Sequence, residues 1–398
     1  MSTAPTAAPL GGMPVEEFLS EYWQKKPCLI RQAFRGFVPQ LDENDIAGLA
    51  CDELAEARLV QGSVESRQWT VEHGPFQDSR LAGLPESNWC LLVQDVEKHY
   101  PPLQELLQQF DFLPRWRLDD LMVSVSAPGG SVGPHVDQYD VFLLQASGQR
   151  RWQVAESFDP ELVANTDLRV LQHFEPEQEW VLQAGDMLYL PPGIAHYGLA
   201  LDLGMTWSIG LRAPSQADLF QALGDWLAEH HTEGQRYADP GLQPAQRPGE
   251  ISQLDLQGLA GLFVVAGLPP DDLNQFLASF LCRFRLAHQP AALDTPLDRV
   301  GLFDARRSGY RLAVNPWTRL NWIDREPDHA APYDRKERDQ QAWLFAPGYT
   351  RTTTRNLAMA LCGNRFPEPE LERMPPQELD TVLELLNLGH LYLEAPED

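Results

Sequence analysis

Two short segments of this 398-residue chain carry side chains that could hold a metal ion. In His135-Val136-Asp137 an imidazole and a carboxylate stand two positions apart. Residues i and i+2 of a strand face the same way, so both can reach one ion. A lone His-x-Asp is most often an ordinary strand pair. The second segment changes those odds. Gly185-Asp186-Met187-Leu188-Tyr189-Leu190-Pro191-Pro192-Gly193-Ile194-Ala195-His196 reads as a turn, a buried strand, a rigid Pro-Pro-Gly turn and a new strand with His196 near its start. Two imidazoles and one carboxylate on one side of an ion leave its other side open, the arrangement of non-haem iron(II) oxygenases. Zinc, nickel and manganese suit the same donors, so the residue types leave the metal open.

Arg150 is the second signal. It follows the turn Ser147-Gly148 and shares a strand face with Trp152 and Val154. If the apolar pair points inward, so does the guanidinium, and a buried guanidinium needs a planar anion such as a carboxylate. Asp137 is committed to the metal, which leaves a carboxylate belonging to a ligand. Ser124 and Ser126 share a face of the preceding strand and could bond the same anion, or form a plain outward polar face. Gln138, Tyr139 and Asp140 follow the metal motif at once and are candidates for contacting substrate, or else ordinary packing and rim residues. His173 has no paired ligand at useful spacing and reads as structural or exposed.

These groups need a scaffold of short strands. Between Leu121 and Pro214 seven strands are expected: 121–127, 135–145, 150–155, 179–183, 187–190, 194–201 and 205–212. Turn dipeptides of Gly, Pro, Ser and Asp break them, the texture of a barrel or sandwich. Ahead of it, Val15, Phe18, Leu19, Tyr22 and Trp23 make the stripe of an amphipathic helix, and Cys28-Leu29-Ile30 reads as a strand. A helix is expected within 42–54 and the first dozen residues read as a loose leader. Past Pro214 the pattern turns helical, with Leu219, Leu223, Trp226 and Leu227 on one face and further helices over 259–268 and 273–281. After a Pro-rich linker, 288–296, strands (310–314, 343–345, 390–393) mix with helices (354–362, 377–388).

The chain is long enough for two or three domains. Its 43% hydrophobic and 22% charged residues have the balance of a soluble protein, and the apolar run 259–268 is far short of the ~20 residues of a membrane helix. Five scattered cysteines without a CxxC pair argue against a zinc ribbon or disulfide framework and for a reducing cytoplasm. A net charge of −26 repels phosphate backbones, disfavouring direct nucleic-acid binding and favouring a basic partner, although the run Arg335-Lys336-Glu337-Arg338 is locally basic.

Several segments together resemble a known family: Tyr22-Trp23-Gln24-Lys25-Lys26-Pro27, Trp116-Arg117-Leu118-Asp119-Asp120-Leu121-Met122, Gly133-Pro134-His135-Val136-Asp137-Gln138-Tyr139-Asp140-Val141-Phe142, Arg150-Arg151-Trp152 and Pro-Pro-Gly to His196. They resemble the bacterial ribosomal oxygenases of the JmjC type, cupin-fold proteins that hydroxylate an arginine at C3 in a large-subunit ribosomal protein, the sixteenth by usual numbering. The resemblance implies an α+β fold, mainly β at its core. A double-stranded β-helix (the cupin/JmjC barrel, residues 13–214) would be followed by a helical dimerisation domain (215–290) and a winged-helix-like C-terminal domain (297–398). It implies that His135, Asp137 and His196 hold Fe(II) and are the catalytic centre. Arg150 would bind the distal carboxylate of the co-substrate 2-oxoglutarate, assisted by Ser124 or Ser126, with O2 as oxidant. Gln149 stands where the family pattern has a basic residue. The expected partners are the basic ribosomal protein and a second copy of the chain. Two alternatives stay open: a histidine hydroxylase or demethylase of another basic protein, and a non-catalytic cupin-like binding protein, for which a buried Arg150 would be superfluous.

Overall fold

A computed structural model of the chain describes residues 8–66, 68–164, 166–230, 256–257, 259, 270–324, 341–363, 371 and 373–396. It divides into two compact units, 1–213 and 214–398. The expected helix over 259–268 and the basic run at 335–338 lie outside the described residues, apart from Leu259.

In the first unit twelve strands form two sheets. They are β1 (Cys28–Ile30), β2 (Ala57–Ser63), β3 (Gln68–His73), β4 (Trp89–Val93), β5 (Leu118–Ser126), β6 (His135–Val136), β7 (Asp140–Ser147), β8 (Arg150–Ala155), β9 (Gln178–Leu182), β10 (Met187–Leu190), β11 (Ala195–Ala200) and β12 (Gly204–Leu211). Eight of them run in the order β1-β10-β7-β12-β5-β4-β2-β3, and four in the order β6-β11-β8-β9. Every pairing between these strands is antiparallel.

Alternation along the strands builds two layers of core. The outward residues of the large sheet, among them Val123, Val125, Phe142, Leu144, Tyr189, Trp207 and Ile209, pack under the N-terminal segments around Phe18, Ile46 and Phe110. Their neighbours Val141, Leu143, Leu188 and Leu190 turn the other way and meet Trp152, Val154 and Leu182 of the small sheet. The two sheets therefore face each other across a side-chain-lined interior, and β12 is buried at all eight positions.

Two expectations need correction. The single strand over 135–145 is two strands in different sheets: β6 ends at Val136 and β7 begins at Asp140, so Asp137 sits just past a strand end, not within one. The leader is not loose from residue 8 onward. Leu10 is 1% exposed inside the main core, and Gly11 comes so close to the Arg31 carbonyl that a Cβ would lie 2.8 Å from it. The helix within 42–54 is observed as Glu43–Leu49, started by a capping box between Asp42 and Asp45.

In the second unit, helices Gln216–His230 and Pro270–Arg283 pack through Leu223, Phe276 and Phe280. A separate core gathers helices Arg299–Arg307, Arg355–Cys362 and Pro376–Asn387 around strand pair Arg311–Val314/Leu391–Glu394 and sheet Asn321–Asp324/Gln341–Ala346/Tyr349–Thr354. Among the described residues no helix is long and apolar enough to cross a membrane.

Candidate active site

Antiparallel pairing brings His135 of β6 directly opposite His196 of β11, with ring centroids 4.2 Å apart. The Pro-Pro-Gly turn is tied to the other ligand segment, because the Gly193 N–H donates to the Asp137 carbonyl at 2.8 Å. Gly193 supplies the positive φ of 85° that this turn requires. The result is that Asp137 Oδ2 lies 3.8 Å from His135 Nε2 and 3.7 Å from His196 Nε2. Ligand atoms of the three residues all fall within 4.8 Å of one another.

The imidazoles are also oriented. Each Nδ1 meets a backbone carbonyl two residues back, Gly133 O at 2.9 Å and Ile194 O at 3.0 Å. A carbonyl can only accept, so Nδ1 carries the proton and Nε2 is left as the free lone pair. Burial above all, and then the neighbouring His135, push the His196 pKa down to about 4, against the pull of Asp137, which keeps its ring neutral near pH 7. Two imidazole Nε2 donors and one carboxylate fit a divalent first-row metal.

Arg150 opens β8 and is 4% exposed. Its Nη1 donates to Ser126 Oγ at 3.1 Å and its Nη2 to the Gly198 carbonyl at 3.2 Å. Nε has no hydrogen-bond partner, and among the described residues no carboxylate forms an ion pair with this guanidinium. Burial accordingly lowers its pKa. It shares its strand face with Trp152, whose ring lies 6.0 Å from that of His196. An uncompensated buried cation beside a metal-ligand set is the signature of a binding site for an anion.

The two serines separate. Ser126 touches Arg150 and donates to Cys90 Sγ at 3.1 Å, whereas the Ser124 hydroxyl donates to the Thr206 carbonyl at 3.3 Å. Of the residues after the metal motif, Gln138 is exposed, and the Tyr139 ring lies under the Arg212 guanidinium, 4.7 Å away, with its hydroxyl toward Asp137. Asp140 is not at the site. Fully buried, its oxygens accept from Gln24 (3.0 Å), Arg117 (2.7 Å) and Tyr189 (2.6 Å), a network that joins the N-terminal segment to the large sheet. His173, expected to stand alone, is exposed beside Asp159 and Glu161.

Asp120 and Gly198 were not anticipated. Strand alternation was the available signal for Asp120, which shares the interior face of β5 with Ser124 and Ser126. Opposite it Gly210 leaves a gap, since a Cβ there would lie 2.7 Å from Asp120 Oδ1. Burial first, then Glu97, Asp119 and Asp95, raise the Asp120 pKa to about 8, against Arg212. Glu97 itself is buried, accepts from the Leu121 N–H at 2.9 Å, and is raised by burial to about 7 from an ordinary 4.5. A carboxyl whose folded pKa is raised costs stability as it ionises. Stability should therefore fall as pH rises from about 4.5 through about 7, by on the order of 3 kcal/mol from Glu97. Glu97→Gln keeps an acceptor for Leu121 and should flatten that decline. Urea unfolding at about pH 5 and about pH 8 measures it, and equal slopes for both proteins would remove the assignment.

Two facing antiparallel sheets around a two-imidazole, one-carboxylate set define the class, a metal-dependent oxygenase of the double-stranded β-helix type. The JmjC domain model matches residues 105–219, spanning the site. Ribosomal protein uL16 3-hydroxylase of Escherichia coli is 35% identical over 294 residues, 74% of this chain and 78% of that one. The X-ray structure of E. coli YcfD superposes with a TM-score of 0.81 at 31% identity, covering 96% of this chain and 99% of that one. A structure of that ribosomal oxygenase in complex with cobalt and 2-oxoglutarate gives a TM-score of 0.77 at 30% identity over the same shares. The chain belongs to the JmjC ribosomal oxygenase family.

Proposed function

We propose that this protein is an iron(II)- and 2-oxoglutarate-dependent oxygenase that hydroxylates an arginine side chain at C3 in the large-subunit ribosomal protein uL16. The observation that carries this reading is Arg150, a buried guanidinium without a carboxylate partner among the described residues, on the same interior face as the Trp152 ring beside His196. A metal-binding barrel that did no chemistry on a dicarboxylate would keep this cation at a cost and for no return.

His135 and His196 would hold the iron through Nε2 and Asp137 through its carboxylate. When bound, iron and 2-oxoglutarate supply the chemistry, in which O2 and 2-oxoglutarate yield succinate, carbon dioxide and one oxygen atom inserted into a substrate C–H bond. Arg150 presents its fork to the distal carboxylate, and Ser126 holds the fork in plane. The paired sheets exclude bulk water from the interior. Asp120 offers a carboxylate to a cationic side chain, and binding such a cation would favour its ionised form. Tyr139, beside Asp137, and the exposed Gln138 would be the first residues past the ligands to meet a substrate. A net charge of −26 would steer a basic ribosomal protein to this surface, and a ribosomal substrate would put the work in the cytoplasm, where ribosomes are. Within the second unit, the helix pair would serve dimerisation, and the C-terminal core would be the winged-helix-like domain.

Incubation with iron(II), 2-oxoglutarate and uL16 is expected to add one oxygen to one arginine, with one succinate formed per oxygen. Fragment-ion mass spectrometry locates the atom. An oxygen on histidine, loss of a methyl group, or an unchanged uL16 mass would overturn the assignment of substrate.

A further inference from the structure

Gly198 is a glycine that its backbone does not need. It lies within β11, paired opposite Trp152, and is absent from the glycines with positive φ. Any residue could adopt that conformation. Space is what forbids a side chain. A Cβ at this position would lie 2.6 Å from Arg150 Nε and 2.7 Å from both Cη2 and Cζ3 of Trp152.

Neither neighbour can yield easily. Trp152 is 5% exposed and wedged among Val154, Leu182 and the inward residues of β7 and β10. Arg150 is held at two points, one of them the Gly198 carbonyl itself. In the ladder between β8 and β11, the Gly198–Trp152 rung comes between the rung that carries His196 and the one that carries Arg150. His196 and Gly198 share a strand face, so the bare Cα of Gly198 borders the interior between the metal ligands and the guanidinium.

We infer that Gly198 is a positioning residue for the co-substrate: its missing side chain lets Arg150 lie against β11 with Nε free, at the depth where the distal carboxylate is received. This rests on the reading of Arg150 as the carboxylate anchor. A methyl group at 198 displaces the guanidinium while leaving His135, Asp137 and His196 on their own backbone anchors.

The test is Gly198→Ala in the full-length protein, with Leu199→Ala on the opposite strand face as control. Gly198→Ala is expected to raise the KM for 2-oxoglutarate about tenfold or more, with kcat at saturation and the KM for uL16 within about threefold and iron affinity within about twofold. Leu199→Ala should move none of these. A 2-oxoglutarate KM unchanged in a folded Gly198→Ala protein overturns the inference, and so does a parallel loss of iron, which would mean general damage to the barrel. Should Gly198→Ala fail to fold, the same comparison is made between Trp152→Leu and Trp152→Leu/Gly198→Ala. That background removes the ring clash and keeps the one with Arg150 Nε, so the same rise is expected, and its absence is again fatal. Wild-type protein that binds no 2-oxoglutarate overturns the reading of Arg150 itself, a separate failure visible before any variant is made.

Discussion

Asp137→Ala should empty the protein of iron and lower turnover by more than ~1,000-fold, with little loss of fold stability. Asp137 would be the one anionic ligand. Without it two neutral imidazoles, already close at 4.2 Å between centroids, must hold a dication alone. Loss of an outer partner of a metal ligand costs about 10- to 100-fold in affinity or activity, and loss of the ligand itself exceeds that range. Among the described residues the ion-pair partners of Asp137 are His135 and His196, at 3.8 and 3.7 Å, and burial keeps the His196 ring neutral near pH 7, so removal of Asp137 strands no buried lysine or arginine. Asp140→Ala, three residues on, should behave in the opposite way. It leaves Arg117, only 12% exposed, without its carboxylate, and strips Tyr189 and Gln24 of an acceptor. Breaking such a pair costs about 3 kcal/mol, which should appear as a lowered urea midpoint in a protein that still binds iron. Iron content and unfolding midpoint measured on both variants decide the matter. If Asp137→Ala retains stoichiometric iron, the ligand assignment is wrong.

The contrast between those two aspartates shows what local sequence carries and what it does not. Period-two alternation and turn dipeptides made the strands that hold His196 and Arg150 legible, and the Pro-Pro-Gly turn marked the delivery of a ligand. Asp140 was read as a substrate contact because it follows the motif. Its actual partners Arg117, Tyr189 and Gln24 lie 23, 49 and 116 positions away, and no window of sequence contains them. The same long-range pairing splits 135–145 into β6 and β7, since one half finds its partner in β11 and the other in β10 and β12. Alternation cannot say which sheet a strand joins. Gly198 was open to a reader of strands, because an isolated glycine inside one signals a close approach. What approached it required the register of β8 against β11. Leu10 was hidden for a simpler reason: a single apolar residue among Ala, Pro, Thr and Gly has no periodicity to betray a packed face.

The second large effect concerns Arg150, where function and stability are expected to part. Arg150→Met fills much of the same volume without charge. It should raise the KM for 2-oxoglutarate about 100-fold, the lower-middle of what losing one partner of a buried charged pair costs, with iron content unchanged. Arg150→Lys keeps the charge but loses the planar fork that bonds Ser126 and Gly198 together, and an increase of about tenfold is expected. The ligand-free protein should respond the other way. In it the wild-type guanidinium is buried with Nε unbonded and no anion among the described residues to offset its desolvation, the cause that lowers its pKa. Exchanging it for an apolar side chain should leave the melting temperature equal or higher. Adding 2-oxoglutarate should then raise the melting temperature of wild type but not of Arg150→Met, because only a species that binds the folded state stabilises it. Differential scanning fluorimetry with and without 2-oxoglutarate, beside steady-state kinetics, reads both halves. A ligand-free Arg150→Met protein that melts well below wild type would mean that the arginine is there to hold the barrel together, and equal 2-oxoglutarate shifts in the two proteins would mean that the anion binds elsewhere.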